Sequence, residues 1–137
     1  MNRKPRVAWI DSDNTSFSQL SEALAKWYGG DVIESFSAGI EPADEIDPEA
    51  VTAMQDIYQV DISEYQAKGW TELSDIDILI VLDEAIELPP ELSATYVEQW
   101  SLEEVSDELG IANTIDVLAE KVRYLIDLII RGRYPIE

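Results

Sequence analysis

Residues 7–27 read VAWIDSDNTSFSQLSEALAKW, and this stretch decides the fold. Val7–Ile10 is a short, wholly apolar run that stops at Asp11. Such runs suit strands buried on both faces of a parallel sheet. From Phe17 the spacing changes. Phe17, Leu20, Ala23, Leu24 and Trp27 recur at intervals of three and four, which predicts a helix stopped by Gly29-Gly30. A strand, a polar loop and a helix in that order begin an α/β unit, with the loop at the carboxyl edge of the sheet where such folds bind ligands.

The rest of the chain repeats the pattern. Val32–Ala38, Ile78–Leu82 and Thr95–Trp100 read as further strands. The third strand is followed by Asp83, as the first is by Asp11. Asp47-Pro48 is a helix start, with Asp as cap and Pro in the first turn, and Ala50, Val51, Met54 and Ile57 form one face. A last helix starts near Asn113 and carries the stripe Ile115, Leu118, Val122, Leu125, Ile126 and Ile129. Short helical pieces are expected at Thr71–Ser74, Glu84–Glu87 and Leu102–Leu109, and a surface loop at Glu41–Glu49. Alternating strands and helices argue an α/β domain with a parallel sheet. The 137 residues read as one domain, 1–137, large enough to fold around a core without a metal or disulfide.

Composition narrows the chemistry. The chain has no cysteine and no histidine, which removes a thiolate nucleophile, a disulfide, an imidazole base and every metal site that needs those ligands. Its net charge is −20, from 29 acidic and 9 basic residues. Arg3, Lys4 and Arg6 stand at one end, and Lys121, Arg123, Arg131 and Arg133 near the other. Between Val7 and Glu120 the only cations are Lys26 and Lys68. A body this acidic repels nucleic acid, anionic membrane and phosphorylated ligands. Solubility accounts for such a charge, and a cationic protein partner is the other reading. No signal peptide or membrane span is evident, so a cytoplasmic location is expected.

A set of short motifs carries a resemblance. Trp9-Ile10 ends a strand and Ser18-Gln19-Leu20-Ser21-Glu22-Ala23 opens a helix. Ser37-Ala38-Gly39, Asp47-Pro48-Glu49-Ala50-Val51, Val60-Asp61-Ile62-Ser63 with Lys68, and Asp75-Ile76-Asp77-Ile78-Leu79-Ile80 follow in order. In these residues, from about Val7 to Ile126, the chain resembles the low-molecular-weight protein tyrosine phosphatases and the thioredoxin-coupled arsenate reductases. The resemblance implies a four-stranded parallel sheet flanked by helices, in three α/β/α layers. It also implies an active site at a Cys-x5-Arg loop, which here is Asp11-Ser12-Asp13-Asn14-Thr15-Ser16-Phe17, followed by Ser18. Asp11 stands at the nucleophile's position, Phe17 at the arginine's and Asp83 at the reductases' resolving cysteine. Glu103 and Glu104 stand nearest the family's general acid, an Asp that precedes a Pro, but Val105 follows them.

Family chemistry needs a low-pKa thiolate at a helix N-terminus and an arginine fork on the oxyanion. Asp11 and Phe17 supply neither, and Asp11 and Asp13 bring negative charge instead. Two like charges about 4 Å apart repel by about 1 kcal/mol in water and about 4 kcal/mol near a protein surface. Oxyanion binding is therefore disfavoured. Asp11 or Asp13 is instead placed to accept from the free N–H groups of the first helical turn. The expected class is a catalytically silent relative, a pseudo-phosphatase acting as a binding or regulatory scaffold with no cofactor and an unknown, cationic protein partner. A label taken from homology alone would read tyrosine phosphatase or arsenate reductase.

The same loop has a rival reading. Trp9-Ile10-Asp11-Ser12-Asp13-Asn14-Thr15 fits the Asp-x-Asp-x-Thr pattern of haloacid-dehalogenase-type phosphatases. That resemblance implies an Asp11 nucleophile, an Asp13 acid/base and a Mg²⁺ ion held at Asp11 and Asp13. Lys68 and the pair Asp83-Glu84 are the best remaining members of its motif set. Among the aromatics, Trp9 and Trp27 read as core, and Phe17 reads as packing inward. Trp70, Trp100, Tyr65 and Tyr96 are candidates for an apolar surface patch, with edge packing as the alternative. Ser37-Ala38-Gly39 reads as a close approach of strand to loop.

Overall fold

A computed structural model describes residues 3–105 and 107–136. Four strands form one parallel sheet: β1 (Arg6–Asp11), β2 (Glu34–Gly39), β3 (Ile76–Val81) and β4 (Ala94–Gln99), in the order β2-β1-β3-β4. Among the described residues three α-helices accompany them: α1 (Phe17–Gly29), α2 (Pro48–Tyr58) and α3 (Gly110–Ile130). The two continuous apolar runs occupy the middle of the sheet. β3 is buried along its whole length and β1 from Val7 onward, whereas β4 at the edge alternates between half-buried and exposed. Trp9 pairs with Ser37 on one side and Ile80 on the other.

Each helix follows from its local sequence. Asp47 caps α2 by accepting from the Glu49 amide at 2.9 Å, with Pro48 in the first turn. The Lys26 carbonyl of α1 accepts from the Gly30 amide, which ends that helix at the double glycine. Helix α3 begins at Gly110, three residues before the expected start, and buries Ile115, Leu118, Val122, Leu125 and Ile126. These pack with Leu20 and Leu24 of α1, Met54 of α2, and Val7, Trp9, Ile78 and Ile80 of the sheet. The opposite sheet face, with Ala8, Ile10, Leu79 and Val81, is covered by Trp70, Leu73, Ile86, Leu88 and Leu92. The third layer is thus built by a 3-10 turn (Trp70–Glu72) and connecting segments.

Some expectations change. Glu84–Glu87 is not helical. Asp83 Oδ1 accepts from the Ala85 amide at 2.9 Å in a tight turn, and the chain then runs to Pro89-Pro90 without regular structure. Among the described residues between Leu102 and Leu109, a 3-10 turn forms at Asp107–Leu109 in place of the expected helical piece. Trp27 is 55% exposed rather than core. The buried stripe of α1 shifts to Ala25, Tyr28 and Gly29 in the last turn, which leaves Trp27 outside with its edge on Tyr58. Trp70 packs on one sheet face, and Tyr65, Tyr96 and Trp100 on the other, so the four aromatics form no single patch.

Candidate functional site: an acidic loop and cleft at the carboxyl edge

The strand order reverses between β1 and β3, and the ends of these neighbouring strands open a crevice in such sheets. The loop 12–16 lies there, between β1 and α1. Helix α1 starts at Ser16 without a side-chain cap of its own. Asp11 supplies the acceptors instead. One carboxylate oxygen accepts from the Asn14 amide at 2.8 Å and the other from the Ser18 amide at 3.1 Å. The negative group sits at the helix's positive end. Asp11 is 7% exposed. Burial raises its pKa above the ordinary value, against the lowering effect of the Asn14 and Ser18 hydrogen bonds.

Asn14 holds the loop from beneath. Its backbone is left-handed, at φ 58°. Its side-chain amide donates to Ser18 Oγ at 2.8 Å and Ser37 Oγ at 3.0 Å. Its Oδ1 accepts from Gln19 Nε2 and the Lys68 amide, both at 2.8 Å. Ser37 Oγ in turn donates to Glu22 Oε1 at 2.6 Å. Lys26 Nζ lies 2.6 Å from Glu22 Oε2 and Lys68 Nζ 3.4 Å from Oε1, so both mid-chain cations converge on one buried glutamate. Sequence reading placed Ser18, Gln19 and Glu22 on the helix but missed this network. The usable signal was the i, i+4 pairing of Glu22 with Lys26 in a segment that has one other cation.

Gly39 completes the support. A Cβ there would lie 2.8 Å from the Asn14 amide nitrogen and the Asp13 carbonyl carbon. The expected close approach at Ser37-Ala38-Gly39 is therefore between Gly39 and the loop backbone. Amides of Ile40, Glu41 and Ala43 then donate to the carbonyls of Asp11, Ser12 and Asp13.

Above the loop a cleft of about 580 Å³ opens between residues 11–17, 82–84 and 100–103. Its lining includes Asp11, Asp13, Asp83, Glu84 and Glu103 and no basic side chain. Phe17 and Trp100 line it too. Phe17 also packs half-buried against the core, and Trp100 meets the buried Trp9 edge-on with centroids 6.2 Å apart. Thus Asp83 and Glu103 come together with the loop, whereas Glu104 turns to Lys121 at 3.6 Å. Lys68 stands with Glu22 and does not line the cleft with Asp83 and Glu84. Among the described residues no group of three or more acidic side chains is arranged to hold a metal ion.

The chain as a whole superposes on solved structures closely enough to assign the fold. A thioredoxin-dependent arsenate reductase of Corynebacterium glutamicum superposes with a TM-score of 0.71 at 27% identity, over 93% of this chain and 64% of that one. The fold is that of the arsenate reductases and low-molecular-weight tyrosine phosphatases. A low-molecular-weight protein tyrosine phosphatase from T. tengcongensis shares it, with a TM-score of 0.67 at 21% identity over 94% of this chain and 99% of that one.

In sequence, an arsenate reductase of Bacillus cereus is 29% identical over 129 residues, 80% of this chain and 92% of that protein. One of Brevibacillus brevis is 37% identical over 79 residues, 58% of this chain. That match spans 54% of the Brevibacillus protein's length. No family model matches the chain. Among the described residues no helix is long and apolar enough to cross a membrane.

Proposed function

We propose that this arsenate-reductase-like chain is catalytically silent and serves as a binding or regulatory scaffold. The observation that carries the reading is the Asp11 carboxylate. It stands at the position the resemblance gives to the nucleophile, and it accepts from the Asn14 and Ser18 amides. Donors at a helix N-terminus that would otherwise face a bound anion are satisfied by the protein's own side chain. The absence of any cysteine from the sequence supports the same reading, since thiol chemistry has no atom to use. Phe17 brings no charge, and the acidic cleft repels a phosphate or arsenate dianion.

The arrangement also weakens the reading of Asp11 as a Mg²⁺-assisted nucleophile. Each Asp11 oxygen accepts an amide hydrogen bond that fastens the loop, and Asp13 Oδ1 accepts from the Thr15 hydroxyl at 3.0 Å. Among the described residues no group of three acidic side chains is arranged to hold the cation that such chemistry needs. Isothermal titration of the folded protein with phosphate and with arsenate tests the proposal. The expected result is no saturable heat at millimolar ligand. Saturable binding that Asp11→Asn alters would place an oxyanion at the loop and overturn the reading.

A further inference from the structure

Strand β4 ends the sheet order β2-β1-β3-β4, and its far edge is open. The Trp100 amide donates to the Val81 carbonyl of β3 at 3.0 Å. Backbone groups alternate along a strand, so those of Tyr96 and Glu98 face β3 and those of Thr95, Val97 and Gln99 face away from it. All three of the latter residues are exposed, and among the described residues no backbone hydrogen bond reaches their outward groups. The other edge of the sheet differs. There the Gly39 amide of β2 donates to the Lys68 carbonyl at 2.8 Å, and Gly69 bridges to Gly39.

Strand edges are blunted by shortening, lysine, proline, a bulge or a covering segment. β4 is six residues long, as β1 and β3 are, contains no lysine or proline, and keeps an unbroken register with β3. The C-terminal segment reaches β4 only through side chains of the strand: the Tyr134 hydroxyl donates to the Glu98 carboxylate, and the Tyr96 hydroxyl donates to the Pro135 carbonyl at 2.8 Å. These contacts engage the single charge of the strand and leave its outward amides open.

The edge is also complementary to itself. In an antiparallel pair centred on Val97, each Val97 exchanges both of its bonds with the partner's Val97, and Thr95 exchanges with the partner's Gln99, giving about six backbone hydrogen bonds. Val97, 52% exposed, then meets its own counterpart. Glu98 falls opposite the partner's Tyr96, so no carboxylate faces a carboxylate. From this register we infer that β4 is a dimerisation edge, pairing with β4 of a second copy across a twofold axis to form one eight-stranded sheet. The inference is independent of what the acidic loop does. Each copy carries a net charge of −20, so the copies repel until salt screens them.

Sedimentation velocity of the whole protein, over a concentration series at about 0.02 M and about 0.5 M salt, tests the inference. The expected result is a monomer–dimer equilibrium that tightens about tenfold or more at the higher salt as repulsion is screened. In the dimer, the amides of Thr95, Val97 and Gln99 should gain protection from hydrogen exchange. Val97→Pro removes an outward donor and leaves the β3 ladder intact, so it should weaken the dimer about tenfold or more. Val97→Lys should do the same, although it lowers the net negative charge, because two ammonium groups then meet at the axis. Ile57→Lys makes the same charge change at an exposed apolar residue of α2 and should dimerise at least as well as the wild type. A monomer in every condition, open-ended association beyond the dimer, a dimer untouched by both Val97 variants, or one lost in Ile57→Lys would overturn the inference.

Discussion

The Ser18 amide, in the first turn of α1, donates at 3.1 Å to a carboxylate oxygen of Asp11, the last residue of β1. One side chain thereby ties the strand to the helix and ends the need for an external anion. Asp11→Ala leaves the Asn14 and Ser18 amides without that acceptor, in a loop where Asn14 and Ser18 are fully buried. The expected loss is about 1–3 kcal/mol of unfolding free energy, and less for Asp11→Asn, which keeps one acceptor oxygen. Chemical denaturation of the three proteins measures it. Equal stability of all three would show that the carboxylate is dispensable to the loop.

Asp77 and Asp11 should give the stability profile opposite slopes in acid. Asp77 accepts from both terminal nitrogens of Arg3 and from the Arg6 amide, each at 2.7 Å, and its pKa lies below the ordinary 3.8 chiefly because of Arg3. Its contribution is full above pH 3.8 and is lost as pH falls through its folded pKa. Asp77→Asn should therefore be less stable at neutral pH by about 1–3 kcal/mol, with the gap closing in strong acid. Asp11 lies above 3.8 because it is buried. The native state there binds the proton more tightly, so stability declines as pH rises through its folded pKa. Asp11→Asn should remove that decline. Denaturation midpoints from about pH 2 to pH 7 resolve the two slopes, Asp77's below 3.8 and Asp11's above it, and parallel curves for wild type and both variants would contradict the assignment.

Gly39→Ala should be costly for a reason unrelated to glycine's backbone freedom. The added methyl meets loop backbone at 2.8 Å, which cannot give way as a side-chain tip can. Overpacking of this kind costs about 1–3 kcal/mol. Thermal unfolding checks it, and loop amide shifts from Asp13 to Ser16 should move as well. A variant with wild-type stability and spectra would mean that the loop backbone is free to yield.

The tryptophans separate by burial. Trp9 is fully buried beside Trp100, so Trp9→Ala should lose about 3–5 kcal/mol. Trp27→Ala should lose only about 0.5–1.5 kcal/mol, the worth of its edge contact with Tyr58. Paired denaturation curves decide, and a larger loss at Trp27 would place it in the core after all.

The sheet was legible because its signals are local. Val7–Ile10 and Ile78–Leu82 are apolar runs too dense for any place but the middle of a parallel sheet, and they stand there as neighbours. The long α3 stripe was equally plain. Glu84–Glu87 misled because its residues favour helix, whereas the Asp83 turn takes Glu84 and Ala85 and Pro89-Pro90 follow too soon for a helix to propagate. Trp27 misled because a stripe counted at fixed spacing ignores its drift at the end of a helix. At the site, the motif order placed the loop, and the resemblance sets Asp11 and Phe17 where the family it names has a cysteine and an arginine. What no local pattern carries is the convergence of Lys26, Lys68 and Ser37 on Glu22, since it joins a helix to two segments far away in sequence.

The central claim is that the loop does no phosphoryl or thiol chemistry. Hydrolysis of an aryl phosphate by the folded protein, across several pH values and with and without millimolar Mg²⁺, tests it most directly. The account predicts no turnover above the uncatalysed rate in any condition. Turnover that needs Mg²⁺ and disappears in Asp11→Asn would contradict it and make Asp11 a nucleophile.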